Sequence, residues 1–271
     1  MSLNPALPCL ERFTFPTAAV VTGGGEILAA QGDCEAIYPW ASVTKTLTVW
    51  SALIAVQRGM LDLDSPAAPF LPGATIAHLM SHSSGVAQES NDAVARPGTR
   101  RIYSNRGTEI LGERLEEATG MAVGEWIEIT VLEPLGMSSV EVPGSPARSG
   151  VGTVMDMSIL AREYARPTLL RPEIARLACT PHLPDLPGIL PGYGPQRPNP
   201  FGLGMEIRGE KTPHWSGKNN SPATFGHFGR FGSLLWVDPQ ADRQLAFLGA
   251  QHFGPEHVAI WPDLCDEALA L

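Results

Sequence analysis

Short apolar runs at residues 18–21 and 27–30 flank Thr22-Gly23-Gly24-Gly25-Glu26. The pattern predicts a β-hairpin, because glycine supplies the positive φ that a tight turn needs. A phosphate-binding loop would require a helix after the glycines, and a strand follows them instead. In residues 42–58 the apolar positions Val43, Leu47, Val49, Trp50, Leu53, Ile54 and Val56 surround the whole helical circumference, with Gly59 as the stop. A helix apolar on every side predicts a central, buried position. A short helix is expected over 76–81. An amphipathic one is expected over 106–119, with Ile110, Leu111, Leu115 and Ala118 on one face and Gly120 at its end. Another is expected over 125–132, stopped by Pro134 and Gly136, and a helical patch over 154–165 within a proline-rich, loop-rich stretch, 143–200.

From Phe201 onward the pattern turns to strands, at 204–208, 233–237 and 244–249, with Asp238-Pro239 as a turn; Pro262 suits the first position of a last helix. Strands at both chain ends with helices between them predict an α+β fold. One antiparallel sheet flanked by helices would be built from both ends, about an all-helical insertion. The expected division is a single domain, residues 1–271, with an α/β lobe from 10–60 and 201–271 and a helical lobe from 61–200.

Composition narrows the function. The chain has 271 residues, 44% hydrophobic and 17% charged, with a formal net charge of −9, which argues against a nucleic-acid partner. No run is long and apolar enough for a transmembrane helix. The first residues lack the basic start and apolar core of a secretory signal, so the expected location is cytoplasmic; an exported form with its signal removed stays open. Cys9, Cys34, Cys179 and Cys265 are widely spaced and read as free, buried thiols. Nothing in the pattern indicates an oligomeric state.

Lysine is scarce: Lys45, Lys211 and Lys218 against sixteen arginines. Lys45 lies three residues after Ser42, so the two side chains share a helix face. Burial in an apolar helix disfavours the ammonium, which makes Lys45 a plausible proton acceptor for the Ser42 hydroxyl. The spacing alone is weak; the apolar surroundings of Lys45 strengthen it. A second group is Tyr103-Ser104-Asn105. A phenol can pass a proton to a leaving group, and an amide can hold both an amine and a substrate carbonyl, although Asn105 taken alone reads as the N-cap of the 106–119 helix. The third is Gly226-His227-Phe228-Gly229-Arg230-Phe231-Gly232, a glycine-rich entry to the strand at Ser233 with a titratable or merely structural His227.

Together, Ser42/Lys45, Tyr103/Asn105 and His227/Gly229 resemble, in order, the S-x-x-K, Y-x-N and H-x-G (or K-T-G) motifs of the serine β-lactamase-like family. That family comprises class C β-lactamases, penicillin-binding proteins, D-alanyl-D-alanine carboxypeptidases and related esterases. His78-Leu79-Met80-Ser81-His82-Ser83-Ser84-Gly85, Glu133-Pro134-Leu135-Gly136-Met137, Phe201-Gly202-Leu203-Gly204 and Trp236-Val237-Asp238-Pro239 also look like its landmarks, so the resemblance spans about 18–260. It implies Ser42 as nucleophile, Lys45 as activator, Tyr103 as proton carrier, Asn105 as holder of Lys45 and substrate, and His227 as tuner of the electrostatics near Tyr103. It also implies an oxyanion hole from the backbone N–H groups of Ser42 and Arg230, with Phe228, Gly229 and Arg230 against the substrate.

Phe228 departs from the pattern, since many relatives carry a hydroxyl there for a substrate carboxylate; Arg230 and Arg148 are the available replacements. The E-x-x-L-N pattern of class A enzymes is missing. The expected activity is therefore acyl transfer to water through an acyl-enzyme, on a small ester or amide first, a D-Ala-D-Ala-like peptide second and a β-lactam third, with no cofactor or metal. Two rivals remain. One is a zinc hydrolase using His78 and His82, which lacks the H-E-x-x-H base and a third ligand. The other is a non-catalytic binding protein on the same fold. No serine has the G-x-S-x-G context of an α/β-hydrolase.

Overall fold

Positive φ values of 63° at Gly24 and 88° at Gly25 close the hairpin between β1 (Thr17–Gly23) and β2 (Glu26–Gly32). The computed structural model describes residues 7–271; residues 1–6, part of the segment read for an export signal, lie outside the described residues. Four later strands join the hairpin: β7 (Glu206–Ile207), β8 (Phe225–Gly229), β9 (Ser233–Asp238) and β10 (Arg243–Gly249). The sheet order is β2-β1-β10-β9-β8-β7, antiparallel throughout, with Thr17 opposite Gly249 and Gly23 opposite Arg243.

Both sheet faces are covered. Ala18, Val20, Leu235, Val237, Ala246 and Leu248 pack into one core cluster with Met157, Leu160 and Ala161 of α6 (Val154–Ala165). Their neighbours Ala19, Val21, Leu234, Trp236, Leu245 and Phe247 pack into a second with Ile260, Trp261 and Leu264 of α8 (Pro255–Leu269). This alternation is the period of two expected of a pleated strand with cover on each side. Helix α6 comes from the 61–200 segment, yet it packs on the sheet.

Helix α1 (Thr44–Gln57) runs through the interior, every residue from Thr44 to Ala55 buried, as its apolar circumference predicts. Its hydroxyls find carbonyls: Thr46 donates to Val43 O, Thr48 to Pro146 O and Ser51 to Thr48 O. Ser42 precedes the α-helix, in a 3-10 turn, Ala41–Val43, that follows the short strand β3 (Tyr38–Pro39). Four further helices are α2 (Ile76–Met80), α3 (Asn105–Thr119), α4 (Val123–Ile127) and α5 (Glu133–Leu135), with a π-helical turn, Glu128–Leu132, between the last two. Strand β4 (Val151–Gly152) pairs with β3.

Several expectations are corrected. Ser104, not Asn105, caps α3: its hydroxyl accepts from Gly107 N at 2.8 Å, leaving the Asn105 side chain free for other work. Pro134 does not stop its helix; it lies in α5 directly after the π-helical turn, and Gly136 at φ 70° ends it. The last helix begins at Pro255, and Pro262 is interior. The first part of the glycine-rich run around His227 is itself strand β8, and residues 230–232 form the turn into β9. Within 143–200 lie three elements not anticipated: strand β4, α7 (Pro172–Cys179) and the hairpin β5 (Gly188–Leu190) with β6 (Gly194–Gln196). Cys9 and Cys265 are buried and unpaired, while Cys34 and Cys179 are half-buried. Among the described residues, no helix is long and apolar enough to cross a membrane.

Candidate active site

The turn carrying Ser42 is held in an uncommon shape. Ala41 has φ 45°, a left-handed conformation that costs a residue with a side chain roughly 1–3 kcal/mol and persists only where the surroundings impose it. The constraints are visible: Trp40 N donates to Gly150 O at 2.8 Å, Thr44 Oγ1 to Ala41 O at 2.6 Å, and Ser233 Oγ to Trp40 O at 2.7 Å. Gly229 lets the end of β8 close onto this turn, since a Cβ there would lie 2.8 Å from Trp40 O and 2.9 Å from Ala41 Cβ. The backbone N–H groups of Ser42 and Arg230 have no acceptor among the described residues.

Lys45 is buried beneath Ser42 with three oxygens around its amine: Asn105 Oδ1 at 2.6 Å, Ala147 O at 2.8 Å and Ser42 Oγ at 3.2 Å. The first two can only accept, so a neutral amine gives them its two hydrogens and keeps its lone pair for the Ser42 hydroxyl. Burial, followed by the nearby Arg148 guanidinium, lowers the Lys45 pKa from 10.5 to about 7. Glu89 fixes the orientation of Asn105 by accepting from its Nδ2 at 2.5 Å, and pairs with Arg148 at 3.1 Å.

Tyr103, the residue before the α3 cap, lays its ring 4.9 Å from Lys45 Nζ and 5.8 Å from the His227 ring. Burial raises its pKa, although the Ser42 hydroxyl pulls the other way, so the phenol stays protonated. His227 places Nδ1 2.8 Å from Phe228 O; a carbonyl only accepts, so Nδ1 carries the proton and Nε2 a lone pair. That Nε2 is buried without a partner among the described residues. Burial, then the Lys45 charge, lowers the His227 pKa to about 4, which keeps the ring neutral. Ser42, Tyr103, Asn105, His227, Phe228 and Arg230 all line one cavity of about 530 Å³. Gly229 shapes that cavity from behind.

The paired-histidine reading is overturned. Helix α2 ends at Met80 and His82 turns away at φ 55°, so the two rings share no face. His78 Nδ1 accepts from Thr75 N at 3.2 Å, whereas His82 Nδ1 accepts from Ser104 N at 3.3 Å and its ring lies 4.7 Å from Tyr103. His82 thereby braces the phenol.

Residues 15–269 match the β-lactamase family. The chain belongs to that family. A β-lactamase from Mycobacterium bovis is 43% identical, with 98% of each chain covered and a TM-score of 0.95. Penicillin-binding protein 4* of Bacillus subtilis (strain 168) is 23% identical over 175 residues, 49% of this chain and 39% of that protein. Esterase EstB of Burkholderia gladioli is 28% identical over 183 residues, 47% of each. The chain thus spans less than half the length of these two curated relatives.

This β-lactamase-family site has parts that sequence reasoning missed. Glu89 and His82 gave no signal tying them to Asn105 and Tyr103. At the cavity edge, Glu206 accepts from Lys211 Nζ at 2.6 Å, lies 3.0 Å from His214 Nε2 and accepts from Trp215 Nε1 at 2.9 Å, all of them buried. The rarity of lysine was the one hint, and it pointed equally to Lys211. Arg101, also lining the cavity, is committed to the carbonyls of Ser81, His182, Leu183 and Asn199.

Proposed function

We propose that this β-lactamase-family chain is a serine hydrolase that transfers the acyl group of a small ester or amide to water through an acyl-enzyme on Ser42. The observation that carries the reading is the Lys45 amine, dry, half neutral near pH 7 and aimed at Ser42 Oγ from 3.2 Å. Ser42 Oγ attacks the substrate carbonyl while its proton passes to neutral Lys45. The backbone N–H groups of Ser42 and Arg230 are aimed at the oxyanion. The bond to the leaving group then breaks as Tyr103 gives that group its proton, and Tyr103 regains one from Lys45. In the second half a water adds to the acyl carbon, its proton returns through the same groups, and Ser42 leaves with a proton as the acid departs. Neutral His227 offers the lone pair of its unpartnered Nε2 as an acceptor and adds no charge that would trap the Tyr103 proton.

A small fluorophosphonate labels the wild type stoichiometrically by intact-mass measurement, and Ser42→Ala abolishes both labelling and p-nitrophenyl acetate hydrolysis. Lys45→Met lowers kcat/KM by about 10²–10⁴-fold. A folded protein that takes no label and hydrolyses no ester is a binding module instead. Hydrolysis of a β-lactam is a second reading, supported by the 43% identity to a protein described as a β-lactamase. Nitrocefin turnover that exceeds ester turnover would favour it, against the loss of a hydroxyl at Phe228.

A further inference from the structure

The cavity over Ser42 has an apolar side unrelated to its proton chemistry. Ile189, Leu190 and Pro191 of the β5–β6 hairpin line it, as do Phe228 and Phe231 at the β8–β9 turn and His252 between β10 and α8. Ile189 is 59% exposed and Phe231 38% exposed, so two large apolar side chains are displayed at the cavity, where packing the core does not require them. Their supports are tied together. A Cβ on Gly192 would lie 2.6 Å from the Phe253 ring, and Tyr193 lies 6.1 Å from both Phe228 and Phe253. Phe253 N donates to Arg230 O at 2.8 Å, and Phe231 stands edge-on to His252 at 4.3 Å. The apolar wall is therefore preformed.

The charged residues of the cavity do not invite an ionic substrate. Arg101 is spent on four carbonyls, Glu206 on Lys211, His214 and Trp215, and Glu89 on Asn105 and Arg148. Of the cavity's charged residues, Arg101 and Arg230 make no ion pair among the described residues; Arg101 is filled by its carbonyls, and Arg230 lies exposed at the rim. A volume of about 530 Å³ exceeds what an acetyl group needs and lies in the range of roughly 300–1,000 Å³ that holds drug-sized ligands.

We propose that the substrate is a neutral ester bearing an apolar chain or ring of about four to eight carbons, which lies against Ile189 and Phe231 while its carbonyl meets Ser42. This rests on the serine-hydrolase reading, but its test does not need turnover. In the Ser42→Ala protein, calorimetric affinity for p-nitrophenyl esters rises from acetate to hexanoate by about three- to fourfold per methylene. Ile189→Asp and Phe231→Ser, at exposed positions, each flatten that rise, with thermal unfolding confirming that the variants fold. Hexyl acetate compared with p-nitrophenyl hexanoate tells whether the chain enters from the alcohol or the acyl side. Equal affinity along both series, or preference for an ester carrying a carboxylate, overturns the proposal whether or not the wild type is catalytic. A binding gradient without Ser42 labelling would overturn the catalytic reading alone.

Discussion

The amine of Lys45 has three neighbouring oxygens but, when neutral, only two hydrogens, and that mismatch leaves its lone pair toward Ser42. Since burial sets its pKa at about 7, the reactive neutral form gains population as pH rises. Ester kcat/KM is expected to climb through pH ~7 and level above it. His227, at about 4, titrates too low to shape that limb. The Glu89 carboxylate favours the Lys45 ammonium and the Arg148 guanidinium opposes it. Glu89→Gln therefore moves the limb to lower pH and Arg148→Ala moves it higher, read from pH–rate profiles of the two variants. A limb that stays put in both would mean that another group titrates.

At the scale of elements, the nucleophile depends on two small features. Ser104 caps α3 and also donates to Ala87 O at 2.7 Å. Ser104→Ala is expected to cost about 1–2 kcal/mol in urea unfolding and to lower kcat, because Tyr103 and Asn105 flank the cap. Gly229→Ala would press a methyl group onto the Ser42 turn, and ester turnover should fall more than stability does. Part of this was legible from sequence. The apolar circumference of α1 announced its burial, and S-x-x-K, Y-x-N and H-x-G identified residues that the fold assembles around one cavity. Other parts were not. Ser104 and Asn105 are equally good caps on paper, and only the reach of Asn105 to Lys45 separates them. Pro255 and Pro262 both suit a helix start; the earlier one begins α8, which continues through the later at the loss of one backbone bond. The glycines of β8 mimic a loop because close approach, of Gly226 to Leu235 and Trp236 and of Gly229 to Trp40 and Ala41, requires them rather than propensity.

Across the whole molecule, one ion pair is sealed between sheet and cavity. Burial alone would raise the Glu206 pKa, but Lys211 and His214 hold it at about 2, below the ordinary 4.5. A depressed carboxylate contributes stability above pH 4.5 that is lost as pH falls toward about 2. Urea midpoints should accordingly drop between pH 5 and pH 3 in the wild type and less in Glu206→Gln. Glu206→Leu, which strands the buried Lys211, is expected to cost about 3–5 kcal/mol at neutral pH.

The pairing of β1 with β10 also orders events at birth. Strand β1 is made well before its inner neighbour β10, with the whole helical segment between them. Until strands β8 to β10 have joined the sheet, the Ser42 turn lacks the contacts of Gly229 and Ser233 behind it. The nucleophile's geometry is thus expected to be complete only once the later strands are in place, so a chain cut before β8 should take no fluorophosphonate at Ser42.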